Sequence, residues 1–218
     1  KKNMDKISLI NHVYKNKLLV DFLKNKEEIS SFHNGNSFEN LNENFLLKKE
    51  ISTEKRKLLV EVISNQYDST KLSVPDNVIQ LSKKGTYTIT TGHQLCLFSG
   101  PQYFIHKIIS IIKSSLELNK KYPNSHFVPV FWMASEDHDL QEISHTTIFG
   151  KKFSIEDAHD TIAVGRLKSS VFQSLHEEVK EFFKTDEKFK ILEDLFEKAM
   201  SFDSWSKTTR YWVHHLFK

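Results

Sequence analysis

Glu136-Asp137-His138-Asp139, with Glu142 and His145 close behind, is the densest group of ionisable side chains in the sequence. It follows directly on the apolar run Phe127-Val-Pro-Val-Phe-Trp-Met133. Crowded carboxylates repel, so at least one is expected to have a raised pKa, and a carboxylate can keep a neighbouring imidazole protonated. Either effect suits general acid–base catalysis near neutral pH. Asp, Glu and His are also ordinary ligands of divalent metals, although no spacing here matches a zinc signature such as HExxH. The plainer alternative is a solvated helix face. The position of the run at the end of an apolar strand argues against it.

A second group lies upstream. Gly92-His93-Gln94 and Ser99-Gly100-Pro101 flank one loop. Glycines there let the backbone approach a ligand closely, and a helix N-terminus offers free N–H groups to an anion. His93 can donate to developing negative charge, or it is an ordinary loop histidine. The loop matches neither GxGxxG nor the Walker pattern. Lys107, about one and a half turns into the next helix, can reach a phosphate or carboxylate, or it snorkels to solvent. Cys96 is three residues from His93, but a nucleophilic thiol needs a thiolate-stabilising environment, and a buried inert thiol is the simpler reading. Trp132 either walls a pocket or fills a core. His214 and His215, beside Trp212, look structural.

The elements that must position these groups can be read from pattern. Thr86-Tyr-Thr-Ile-Thr-Thr91 is β-branched and aromatic, hence a strand. Pro101 marks a helix start, with Ser99 or Gly100 as its cap. From Tyr103 to Leu118, apolar residues cover more than half the helix circumference, which predicts heavy burial. Residues 127–133 suit a strand buried on both faces, with Pro129 at its start or edge. Strand, buried helix and strand make a βαβ unit of an α/β fold. Ligands of such sheets bind beyond the carboxyl ends of the strands. If the strands are parallel neighbours, the polar segments leaving Thr91 and Ala134 share one crevice.

Elsewhere the chain reads as helices and loops. Ser52 starts a helix with a Leu58, Leu59, Val62, Ile63 stripe. Pro75 opens a short helix through Leu81, closed by Gly85. Ser31–Asn44 is Asn-rich and loop-like. Residues 151–165 look hairpin-like, and helices are expected at Val171–Phe183, Lys188–Met200 and from Trp205 onward. The expected division is an N-terminal helical segment (1–85), the first βαβ part of the core with the motif loops (86–150), an inserted hairpin and helices (151–203), and a helix returning to the core (204–218).

Composition bounds the class. The 218 residues include 17 Phe, 6 Tyr and 3 Trp, which excludes intrinsic disorder. Lys plus Arg is 31 against 28 acids, and the net charge of +3 gives no argument for a nucleic-acid partner. One cysteine excludes a disulfide framework and a Cys-based zinc site, and fits a reducing compartment. No apolar run is long enough for a membrane span, and Lys1–Asn11 lacks a signal-peptide core. A soluble cytoplasmic protein is expected. The Gly and Pro residues are few (6 and 4), yet six of these ten lie between Gly85 and Pro129, which marks that stretch as the place to look for function.

The motifs Thr91-Gly-His-Gln…Phe98-Ser-Gly-Pro-Gln-Tyr103…Lys107 and Val128-Pro-Val-Phe-Trp-Met-Ala-Ser-Glu-Asp-His-Asp139…Glu142-Ile resemble those of the bacillithiol biosynthesis cysteine-adding enzymes (BshC). That family carries a TGQQ-type turn, a loop ending in (T/S)GP.Y and K, and a VPVFW strand followed by EDHD and EI. The likeness is dense over 86–149. It implies a Rossmann-like core related to class I synthetases and nucleotidyltransferases, with helical additions and a coiled-coil dimerisation region. It also implies an activity: joining L-cysteine through an amide to the amine of glucosaminyl malate. By analogy with those synthetases, Thr91-Gly92-His93-Gln94 stands where an HxGH signature contacts ATP, so ATP, and Mg2+ with it, enter as analogy only. The resemblance implies Glu136, Asp137, His138 and Asp139 as catalytic, and Thr91, Gly92, His93, Gln94, Ser99, Gly100, Pro101, Tyr103, Lys107, Trp132 and Glu142 as substrate- or nucleotide-binding, with no protein-held metal. Position 93 is His where the common family form has Gln. Family members extend further, so this chain is expected to be an N-terminal portion with an incomplete core, and the full-length protein a homodimer. The other readings are a binding module of that fold and a metal-dependent hydrolase using Glu136–Asp139.

Overall fold

A computed structural model of the chain describes residues 14–33, 46, 50–155 and 162–218. Two units emerge, Lys1–Glu50 and Ile51–Lys218. In the first, helix α1 (Lys17–Leu23) begins where the Asn16 side chain accepts the Leu19 N–H at 3.1 Å, and a 3-10 turn follows at Glu27–Phe32. Most of the Asn-rich loop expected at 31–44 lies outside the described residues, as do 156–161 of the stretch expected to be hairpin-like.

The second unit holds the motif loops. Helix α2 (Thr53–Asp68) is capped by Ser52, whose hydroxyl accepts the Lys55 N–H. Its apolar stripe does not face a core: Leu58, Leu59 and Val62 are exposed. The side chain this helix buries is Arg56, which donates to the carbonyls of Leu81 (3.0 Å) and Thr86 (3.1 Å). A buried guanidinium is tolerable only with such partners, and here it ties α2 to the start of the sheet. Helix α3 (Asp76–Gln80) begins after Pro75. Gly85 (φ 77°) does not close α3. It leads into the sheet, and its carbonyl accepts the His126 N–H.

Strands β1 (Thr86–His93) and β2 (His126–Met133) pair in parallel from Thr86↔His126 to His93↔Met133. The helix between them, α4 (Gln102–Lys121), completes the expected βαβ unit. Pro129 sits inside β2, opposite Ile89. The N–H groups of even-numbered His126 and Ala134 donate to Gly85 and His93, on the β1 side. Odd-numbered Pro129 therefore has its nitrogen on the other edge, where no described strand pairs. β2 is not buried on both faces: Phe127 and Val128 are buried, but Trp132 is 58% exposed. With one partner strand and α4 on one side, nothing described covers its other face near the end.

α4 buries one stripe, Phe104, Ile108, Ile111, Ser115 and Leu118, while Ile109 and Leu116 are exposed. The heavy burial expected from composition is thus confined to the face that meets the sheet. The cap differs too. Pro101 is the N-cap residue (φ −66°, ψ 151°), and Gly100 (φ 61°, ψ −155°) holds a conformation essentially reserved for glycine.

Beyond β2 come a single-turn helix, α5 (Leu140–Ile143), and a hairpin of β3 (His145–Ile148) and β4 (Lys151–Ser154). The hairpin straddles Gly150 rather than following it. Two 3-10 turns (Val164–Arg166 and Ser169–Phe172) lead to helices α6 (Gln173–Phe182), α7 (Glu187–Met200) and α8 (Trp205–Leu216). One apolar cluster joins Leu95 and Leu97 of the first motif loop to Leu140 and Ile143 of α5, and to Val164, Phe172, Leu175 and Trp205. Each such side chain, fully buried, contributes roughly 1.5–3 kcal/mol. The loops that carry the chemistry thus rest on the main core, built largely by the C-terminal elements.

Candidate functional site

The parallel pairing of β1 and β2 sends both motif loops out of the same end of the sheet. Thr91 and Gly92 lie opposite Phe131 and Trp132, and the two polar segments meet. The Gln94 side-chain amide donates to Asp137 Oδ2. This is the one side-chain bond that spans the two loops among the described residues named as candidates.

Asp137 is the most engaged residue of its cluster. Its Oδ1 accepts the backbone N–H of His138 at 2.7 Å and that of Asp139 at 3.3 Å. The Gln94 amide, and after it the His138 N–H, hold its carboxyl below the usual carboxylate range. The expectation of a raised carboxyl is therefore reversed at this residue: donors converge on it, and they outweigh its desolvation. The other carboxylates point to separate tasks. Glu136 accepts the Trp132 indole N–H at 3.3 Å. Asp139 caps α5, its Oδ1 accepting the Glu142 N–H at 3.2 Å. His138, Asp139 and Glu142 are exposed. No group of three or more His, Cys, Asp or Glu side chains placed to hold a metal ion occurs among the described residues.

The first loop is built around His93, 9% exposed at the end of β1. Its ring packs on Tyr103 (centroids 5.0 Å apart) and Phe104 (5.4 Å), in the first turn of α4. Nδ1 lies 3.2 Å from the Gln94 carbonyl oxygen. A carbonyl only accepts, so this bond places the proton on Nδ1 and leaves Nε2 an acceptor in the neutral ring. Nε2 is buried without a partner. The Lys107 ammonium donates to the Gly92 carbonyl at 2.6 Å and lies 5.7 Å from the Tyr103 ring centre, so its charge stands at the carboxyl end of β1. Tyr103 and Trp132 are both more than half exposed. Trp132 is therefore no core residue; it stands exposed opposite Gly92, at the carboxyl end of the strand pair. The backbone of Ser99 forms the 3-10 turn Leu97–Ser99, followed by Gly100 and Pro101.

Cys96 takes the inert reading. It is buried, its Sγ is 3.5 Å from His93 Nδ1, and burial, aided by the nearby Glu142 charge, pushes its thiol up to about 11. Gly100 packs onto it so closely that a Cβ there would lie 2.6 Å from Cys96 Cβ.

Three supporting residues were not singled out by sequence. Phe98 holds a left-handed backbone (φ 48°) and packs on Phe196, Trp212 and His176. Trp205 donates its indole N–H to the Leu95 carbonyl at 2.7 Å. Gly165 touches the second loop. Gly165 left a signal, as one of only 6 glycines and one outside the stretch ending at Pro129; Phe98 opens a quoted motif and Trp205 an expected helix, but neither pattern marks a supporting role.

Residues 4–218 match the family model described as Bacillithiol biosynthesis BshC, N-terminal Rossmann-like domain. The chain belongs to the BshC family. This BshC chain is 41% identical over 175 residues to a protein of Flavobacterium psychrophilum, covering 76% of the chain and 32% of that protein. It is 37% identical over 210 residues to one from Christiangramia forsetii (92% and 39%). It is 35% identical over 217 residues to one from Cytophaga hutchinsonii (99% and 40%). All three bear the name "Putative cysteine ligase BshC". The chain thus spans about a third to two-fifths of the length of these relatives. Its fold is the Rossmann-like α/β fold of the family's N-terminal domain, with a parallel strand pair and helical additions. Among the described residues no helix is long and apolar enough to cross a membrane.

Proposed function

We propose that this chain carries part of the active site of a cysteine ligase of bacillithiol biosynthesis, which joins L-cysteine by an amide bond to the amine of glucosaminyl malate. The observation that carries the reading is the Gln94–Asp137 bond, which joins the two family motifs at the carboxyl end of the parallel strands. Amide formation from a free carboxylate needs activation. ATP, as co-substrate by analogy with synthetases, supplies the activating group. The remaining work is positioning and stabilisation of charge. Lys107 and the N–H groups at the start of α4 suit an anion.

A carboxylate held ionised by three donors is a poor base but a good partner for an ammonium group. Asp137 therefore binds the amine substrate in this account. His138, exposed beside it, takes the proton that the ammonium must lose before it can attack. The exposed Trp132 indole, tethered by Glu136, forms a wall. The same reading takes a homodimer as the working assembly, the cytoplasm as its location, and 86–150 as the functional heart between helical segments.

Calorimetry tests the ligand classes. Titration of the protein with glucosaminyl malate and with ATP–Mg2+ is expected to give saturable heats, and the D137N variant is expected to weaken that of glucosaminyl malate. Zn2+ binding with no response to sugar or nucleotide would instead support a metal-dependent hydrolase.

A further inference from the structure

The two motif loops are held from below by one short stretch of backbone and one indole. The Gly165 N–H donates to the Ser135 carbonyl at 2.9 Å, and the Val164 N–H to the Asp137 carbonyl at 2.7 Å. These two bonds fix the backbone on both sides of Glu136. The contact is too close for any side chain at 165. A Cβ there would lie 2.5 Å from Ser135 Cβ, 2.7 Å from its carbonyl oxygen and 2.9 Å from its Cα. The φ of Gly165 is not in the left-handed region, so close approach, not backbone conformation, is what requires glycine.

The same stretch reaches the other loop through Trp205. The Trp205 N–H donates to the Leu167 carbonyl at 2.8 Å. Its indole stacks on Phe172 (centroids 4.0 Å) and donates through Nε1 to the Leu95 carbonyl. Leu95 is fully buried and adjoins Gln94. One continuous path thus runs from Asp137 through Val164, Leu167 and Trp205 to Leu95, and closes through Gln94 back onto Asp137.

We propose that Val164–Gly165 and Trp205 form a single brace that sets the register of Gln94 against Asp137, with Gly165 and Trp205 as positioning residues for the reaction. The inference rests on the two loops forming one ligase site. Neither residue is assigned contact with substrate. A displacement of about 1 Å at a reacting group costs up to roughly a hundredfold in rate, so the brace acts on turnover more than on binding.

Two variants of the full-length protein test it. G165A inserts a methyl group against Ser135. W205F removes the indole N–H and leaves a smaller aromatic ring beside Phe172, at the cost of some buried volume. Both are expected to lower kcat by about tenfold or more while leaving KM for cysteine within about threefold, and the double variant is expected to be no worse than the poorer single one. Hydrogen exchange supplies a readout independent of activity. W205F, whose lost bond touches only the first loop, is expected to speed exchange at residues 136–139, and G165A at 94–97. Effects confined to each variant's own loop, or kcat within twofold of wild type, overturn the brace. If G165A does not fold, W205F carries both readouts. If the unaltered protein makes no amide product, the ligase reading fails, and the cross-loop exchange alone decides the brace.

Discussion

At the scale of single residues, the environment of each group separates its role. Asp137 and Asp139 sit two positions apart in the same run, yet one receives the Gln94 amide and the other caps a helix. Cys96 and His93 are neighbours in space, but burial keeps the thiol protonated up to about 11. At pH 8 the thiolate fraction is then on the order of a thousandth. A disulfide reagent such as DTNB is expected to leave Cys96 unmodified in the native protein at pH 8 and to label it once urea unfolds the chain. Rapid labelling of the native protein would contradict the buried, inert assignment. The sequence marked which residues bear chemistry, since residue type and position at strand ends are local facts. It did not tell which carboxylate attracts donors, because those donors come from Gln94, on the other loop, as well as from neighbouring amides.

At the scale of elements, the βαβ unit was legible because each part carries its own pattern: β-branched Thr86–Thr91, the apolar face of α4 and the run from Phe127 to Met133. What escaped was burial on the outward faces. Arg56, not the leucine stripe of α2, is the buried side chain, because three of its hydrogen bonds end on carbonyls that only the folded sheet brings within reach. The β3–β4 hairpin was misplaced for a related reason. Its turn is Phe149-Gly150, with φ 49° and 80°, the double positive φ of a type I′ turn. Phe carries none of the preference for that conformation that Asn or Asp would show. Phe149 is 87% exposed, so little burial is lost by replacing it. F149N is expected to stabilise the protein by about 0.5–1 kcal/mol, read as a higher urea midpoint at unchanged slope. A lower midpoint would show that the Phe149 contact with Phe183 outweighs the backbone cost.

At the scale of the whole molecule, the site belongs to no single element. β1 and β2 deliver its two halves, α4 closes over His93, and α8 and the turn at Val164 hold the loops from beneath. Contacts of long sequence separation do this work, which is why family motifs announced the site while its supports stayed hidden. The central claim is that the Gln94–Asp137 junction makes one ligase site of two motifs. It is tested by measuring formation of the cysteinyl amide of glucosaminyl malate by the full-length protein and its D137N variant, with mass-spectrometric detection of the product. The account predicts product from the unaltered protein and a loss of roughly a hundredfold in rate for D137N, because the amine is no longer held in place. Turnover of D137N near that of the unaltered protein would contradict it.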